Sequence, residues 1–130
     1  MKNINYRTNY KSKAILVEDA IDMVNNYLDI PKERIEGNPY SKFLDELLLF
    51  LHERNIYTIN RVGANHLVLL ILNLANKYGD EMVAIYKIFC QSLFNTAAIM
   101  GIIKTEENPS TFLDKVFSKS SKVILGNYDF

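Results

Sequence analysis

Leu67-Val68-Leu69-Leu70-Ile71-Leu72-Asn73-Leu74-Ala75 is the longest nearly unbroken apolar run in the chain, and whether it is a helix or a buried strand decides the fold. Periodicity cannot separate the two for a run this short, so the flanks arbitrate. Downstream, Asn76, Lys77 and Tyr78 lead into Gly79. A base in the last turn followed by glycine is a helix stop, because glycine takes left-handed backbone without a Cβ clash. Upstream, Gly63 marks a turn, and Asn60 or Asn65 can cap the start. The reading is a helix over about 64–78. On that helix Asn65, His66, Asn73, Asn76 and Lys77 share an arc of roughly 120°. Apolar residues, Leu67, Val68, Leu70, Ile71, Leu72 and Leu74 among them, cover the remainder, as in a central element with several neighbours. The amide-rich stripe is either a thin solvent-facing edge or a polar seam toward a partner, since amides hydrogen-bond without the desolvation cost of a charge.

Working upstream, Asn38-Pro39 is a start signal, a cap followed by a proline whose missing N–H costs nothing in the first turn. It opens a helix over about 39–54, with Tyr40, Phe43, Leu44, Leu47, Leu48, Phe50 and Leu51 inward. The connector 55–63 carries Ile56, Tyr57 and Ile59 and is expected to pack down. An earlier helix over about 13–29, capped by Ser12, repeats Val17, Ala20, Ile21, Val24 and Leu28 at i, i+3, i+4 spacing and ends before Pro31. Residues 1–11 form no period and read as a polar, basic arm.

Downstream, Gly79-Asp80 breaks the chain and caps a helix over about 81–100, with Lys87, Gln91 and Asn95 as its polar stripe. Ser110 or Thr111 caps a fifth helix over about 110–117, buried through Phe112, Leu113, Val116 and Phe117. Residues 118–122 read as a solvated turn, and the apolar tail after them as docked. The expected fold is all-α: a compact single-domain bundle of about five helices with a hydrophobic central helical hairpin. Every glycine and proline falls between helices or at their ends on this partition, so local signals and global pattern agree.

The 15 basic and 15 acidic residues balance, which argues against a dedicated nucleic-acid binder. Residues 1–17 nonetheless hold Lys2, Arg7, Lys11 and Lys13 with no acid. No disulfide can form within a chain whose one cysteine is Cys90, which suits a reducing, cytoplasmic setting. No signal peptide is expected from the polar start, and Met82–Ile103 reads as a core helix because Gln91, Ser92, Asn95 and Thr96 are costly in lipid. Heavy use of Asn, Lys, Ile and Tyr points to an AT-rich genome, that of a low-GC bacterium, its phage or plasmid, or an AT-rich eukaryote or virus, and the small size adds an expectation of a phage, viral or mobile-element origin.

Chemistry-bearing motifs do not emerge. His52 and His66 have no ligand-spaced neighbours, and adjacent acids such as Asp45-Glu46 point about 100° apart on a helix. Cys90 lies among Ile88, Phe89 and Leu93 and reads as an inert buried thiol. No nucleophile elbow, dinucleotide fingerprint or phosphate loop occurs. The expectation is therefore a non-enzymatic protein without cofactor, metal or membrane, which binds itself as a homo-oligomer or binds another protein. Two helices are apolar over more than half their circumference, more than a small domain comfortably wraps, so Met82, Tyr86, Phe89, Phe94 and Met100 are the candidate interface. The alternative is a DNA-binding regulator that uses the arm residues Lys2, Arg7, Lys11 and Lys13 with Arg61, Asn65 and His66 at the turn into the central helix.

Overall fold

The computed structural model describes residues 15–30 and 38–117. The arm with Lys2, Arg7, Lys11 and Lys13, the Ser12 cap, the connector 31–37 and the tail beyond Phe117 lie outside the described residues. The described chain forms helices α1 (Val17–Tyr27), α2 (Pro39–Glu53), α3 (Ala64–Tyr78) and α4 (Val83–Ile99), and a short helix α5 over 113–117. Three-residue 3₁₀ turns at Ile59–Arg61, Asp80–Met82 and Thr105–Glu107 link them. No β-strand occurs among the described residues.

The apolar stripes converge on one core. Val17, Ala20 and Val24 of α1, Leu47 and Leu51 of α2, Leu67 and Ile71 of α3, and Cys90, Leu93, Phe94 and Ala97 of α4 are completely or almost completely buried. Leu113 and Phe117 of α5 seal one end. The α3–α4 hairpin is the centre, and α1 and α2 both pack on α4. The segment Asp80–Ile99 is, by length and composition, apolar enough to cross a bilayer. Here it is the helix around which the core closes, with Tyr86, Cys90, Leu93 and Phe94 turned inward.

Helix ends follow one repeated device. Asp29, Asn55 and Gly101 adopt φ of 61°, 61° and 79°, and each is followed by isoleucine. The amide of Ile30 bonds the Asn25 carbonyl, that of Ile56 the Leu51 carbonyl, and that of Ile102 the Ala97 carbonyl. Each left-handed residue also bonds the carbonyl three residues back, which completes a Schellman motif and satisfies the last carbonyls of α1, α2 and α4. The stop of α1 is thus Asp29, ahead of Pro31. Gly79, with φ 117°, ends α3, and a Cβ there would come within 2.6 Å of the Glu81 carboxylate.

Several expected starts are corrected. Asn38 does cap α2, its Oδ1 accepting the Ser41 N–H at 2.8 Å. The cap of α3 is neither Asn60 nor Asn65 but Gly63, whose N–H donates to His66 Nδ1 at 2.8 Å. Asp80 opens a 3₁₀ turn and α4 begins only at Val83. Ile15 and Leu16, expected inside the first helix, are not helical. Val17 N–H bonds the Tyr57 carbonyl and Ile59 N–H the Ile15 carbonyl, both at 2.9 Å, which ties the connector to the start of α1. That connector packs down through the buried side chains of Ile56, Ile59 and Val62.

Candidate interaction surface

The candidate interface on α4 divides in two when placed in the fold. Phe94 is fully buried and Tyr86 nearly so, and neither can meet a partner without unfolding. Met82, Phe89 and Met100 are half-buried and packed against the core. Phe89 belongs to an aromatic cluster with Tyr40 and Phe43, at ring-centroid distances of 5.2 and 5.5 Å. Burial in that cluster pushes the Tyr40 hydroxyl up to about 12, with Cys90 nearby as the lesser cause. These side chains hold α2 against α4.

The outer face of α4 is made of other residues. Ile85, Ile88 and Ile99 are 39%, 56% and 71% exposed, and Asn95 is exposed between them. With half-buried Ser92 they advance along the helix by three, four, three and four residues. That is the spacing of a straight seam for a second helix. No charged residue lies on it.

The polar stripe Lys87–Gln91–Asn95 carries contacts to the chain beyond α4. Lys87 Nζ lies 3.0 Å from Asp114 Oδ1 on α5. A hydrogen bond from Gln91, and then Lys87, hold the Asp114 carboxyl below its ordinary value. Asn95 Oδ1 accepts from Asn108 Nδ2 at 2.7 Å and lies 3.1 Å from the buried Ser110 hydroxyl, which is closer, at 2.7 Å, to Asn108 Oδ1. Asn108 Oδ1 in turn accepts the Ser110 N–H at 2.9 Å. The stripe therefore seats the polypeptide that follows α4. Ser110 is inside this network rather than a simple cap, and Phe112, expected inside, is exposed. Next to the network, Asn95, Ala98, Ile99, Thr105 and Asn108 line a hollow of about 380 Å³ on the α4 face.

The outer face of α3 resembles that of α4. Leu69 and Leu72 are 45% and 47% exposed, and Asn65 and Asn76 are exposed at either end of the same line. Leu72, expected in the core, points outward. This amide stripe is therefore mixed with leucine, and it too lacks charge between Asn65 and Asn76. Beside it, Glu46, Leu49 and Glu53 of α2 and Asn73 and Lys77 of α3 line a groove of about 250 Å³. Glu46 accepts from Lys77 Nζ at 3.1 Å and from the Tyr78 hydroxyl at 3.0 Å.

Of the candidate nucleic-acid contacts, Arg61 and Asn65 are exposed at the head of α3. His66 is half-buried and committed through Nδ1 to the Gly63 amide. Burial, then Arg54, hold it below its ordinary value, so its neutral form is favoured. Among the described residues no group of three or more His, Cys, Asp and Glu is placed to hold a metal ion. Burial raises the Cys90 thiol well above its ordinary value. His52 rests on the Tyr57 ring with Nε2 3.7 Å from Glu18 Oε2, which lends it a structural contact between α1 and α2.

No family model matches the chain, no curated protein matches it, and no solved structure matches it.

Proposed function

We propose that this protein is a non-catalytic helical interaction or assembly protein that works through the outer faces of α3 and α4. The observation that carries the reading is a pair of uncharged, aliphatic helix faces left exposed by neighbouring helices of one hairpin. Scattered single apolar residues on a surface need no explanation, but aligned rows of them on consecutive helices favour a partner. Depletion of charge at the centre with polar groups around it is the composition of a protein–protein interface. The buried lone thiol suits an intracellular setting.

Size exclusion with light scattering, at low and high salt and with nuclease treatment, tests the reading. An apolar interface gives a mass above 15.0 kDa that survives both treatments. A monomer that binds no protein partner through these faces refutes it. The alternative, duplex DNA binding, draws on the exposed Arg61 and Asn65. It requires salt-sensitive binding that Arg61→Ala weakens, because each phosphate contact releases counterions.

A further inference from the structure

We infer that the occupant of the α4 face is α4 of a second copy of this chain, packed antiparallel; the inference rests on the interaction reading above. The seam Ile85–Ile88–Ser92–Asn95–Ile99 is self-complementary when one copy is reversed. Ile88 then lies opposite Ile99 of the second copy, and Ser92 opposite Asn95 of the second copy. Two-fold symmetry repeats both layers, so two isoleucine layers flank two polar ones. Knobs spaced by three and four residues enter the holes of a facing helix in this way.

Three features favour the reversed orientation. First, the hollow lined by Asn95, Ala98, Ile99, Thr105 and Asn108 lies at the C-terminal end of the seam. Antiparallel packing brings the exposed Ile85 and Ile88 of the second copy to it, whereas parallel packing sets hollow against hollow. Second, Asn95 Oδ1 is already taken by Asn108, while its Nδ2 has no acceptor among the described residues. The Ser92 hydroxyl of the second copy supplies one, so the central layers are satisfied rather than merely tolerated. Third, antiparallel helix dipoles attract.

Charge does not oppose the pairing. Lys87, the only charged residue within α4, is engaged by Asp114 away from the seam. The seam is narrow, three part-exposed isoleucines with Ser92 and Asn95, set against the roughly 1,000 Å² in total that a stable specific interface needs. The expected dimer is accordingly reversible rather than permanent.

The test mixes two single variants of the full chain, Ile88→Cys and Ile99→Cys, under mild oxidation. The mixture is expected to form a disulfide-linked heterodimer. Ile88→Cys alone is expected to link poorly, because antiparallel packing sets its two copies about 16 Å apart along the axis. Linking of Ile88→Cys to itself as readily as in the mixture means parallel packing and overturns the inference. Ile88→Glu is expected to raise the dimer dissociation constant at least about a hundredfold with unchanged helicity by circular dichroism, since each isoleucine layer then buries one carboxylate against Ile99 of the other copy. Leu72→Glu, on the α3 face, is expected to leave the dimer intact.

If Leu72→Glu dissociates the protein and Ile88→Glu does not, the inference fails while the interaction reading stands on α3. A monomer at about 100 μM overturns it as well. So does a monomer destabilised by Ile88→Glu as severely as by a core substitution, since the chain then covers the face itself.

Discussion

Two truncations on one helix, six residues apart, are expected to behave oppositely. Phe94 is fully buried in α4, whereas Ile88 is more than half exposed on its other side. Phe94→Ala removes a ring in contact with α4's neighbours and leaves a cavity that a packed core fills only in part. The cost is about 3–5 kcal/mol. With a urea slope of about 1.5 kcal/mol/M, ordinary for a chain of this size, the midpoint falls by about 2–3 M. A domain near the middle of the usual range of about 5–15 kcal/mol remains folded after that loss. Ile88→Ala removes a side chain already in water, so the folded monomer loses less than about 1 kcal/mol, partly offset by the better helix propensity of alanine. Protein concentration separates folding from association. Stability lent by a partner copy rises with concentration, whereas core packing does not. Urea titrations at two concentrations a hundredfold apart are the assay. The Phe94→Ala shift should be the same at both, and any Ile88→Ala shift should appear at the higher one alone. A Phe94→Ala cost below about 1 kcal/mol, or a concentration-independent Ile88→Ala cost above about 2 kcal/mol, means that the inner and outer faces of α4 have been assigned the wrong way round.

His66 predicts a pH dependence. Its folded-state pKa is lowered, so stability is intact above its ordinary value of 6.5 and declines as pH falls below it, because protonation removes the acceptor of the Gly63 amide. His66→Gln keeps an acceptor without the titration, so its urea midpoint should fall less between pH 7 and pH 5, an interval that spans the ordinary value of 6.5; parallel profiles refute this. Asn108→Ala strips the buried Ser110 N–H of its acceptor and should cost about 1–3 kcal/mol in thermal melts. Cys90 should resist a thiol-specific reagent in the native protein and react fully in denaturant, and rapid native labelling would contradict its burial.

Local chemistry was legible where a residue acts on its own neighbours. Asn38-Pro39 opens α2 where that dipeptide must, and Lys77-Tyr78-Gly79 closes α3. The other stops were written in a subtler form. Asp29-Ile30, Asn55-Ile56 and Gly101-Ile102 share one pattern, a residue tolerant of left-handed backbone followed by an aliphatic that folds back on the helix. Glycine was read as punctuation, but Asp and Asn in the same role were read as ordinary polar residues. The cap of α3 was hidden for a related reason. Gly63 has no side chain with which to cap, and the bond comes backward from His66, a residue rarely used that way.

The candidate site was less legible, and α4 shows the physical reason. Its apolar residues nearly encircle it, so periodicity establishes that it is a helix without ranking its faces. The sequence singles out Lys87, Gln91 and Asn95 as a polar stripe without saying what it meets. In the fold, polarity instead marks a neighbour: the stripe receives Asp114, Asn108 and Ser110, which arrive from chain beyond the helix. Once those groups occupy that side, and Phe94 and Tyr86 occupy the side facing α2 and α3, the face carrying Ile85, Ile88 and Ile99 is left outermost. Tyr86, Phe89 and Phe94 are candidates in the sequence because the helix is apolar over most of its circumference, yet large aromatic side chains are what the core recruits first. The outward residues are β-branched isoleucines with Ser92 and Asn95 between them, a weaker apolar surface than the phenylalanines would have made. As the proposed seam, such a face would be selective, because a wider or wholly aliphatic one would bind whatever apolar surface it met. In the pairing proposed above, Ser92 and Asn95 would restrict the choice of partner, since most other helices would bury them without a hydrogen-bonding group, and so they would favour the one helix whose sequence offers the reverse order.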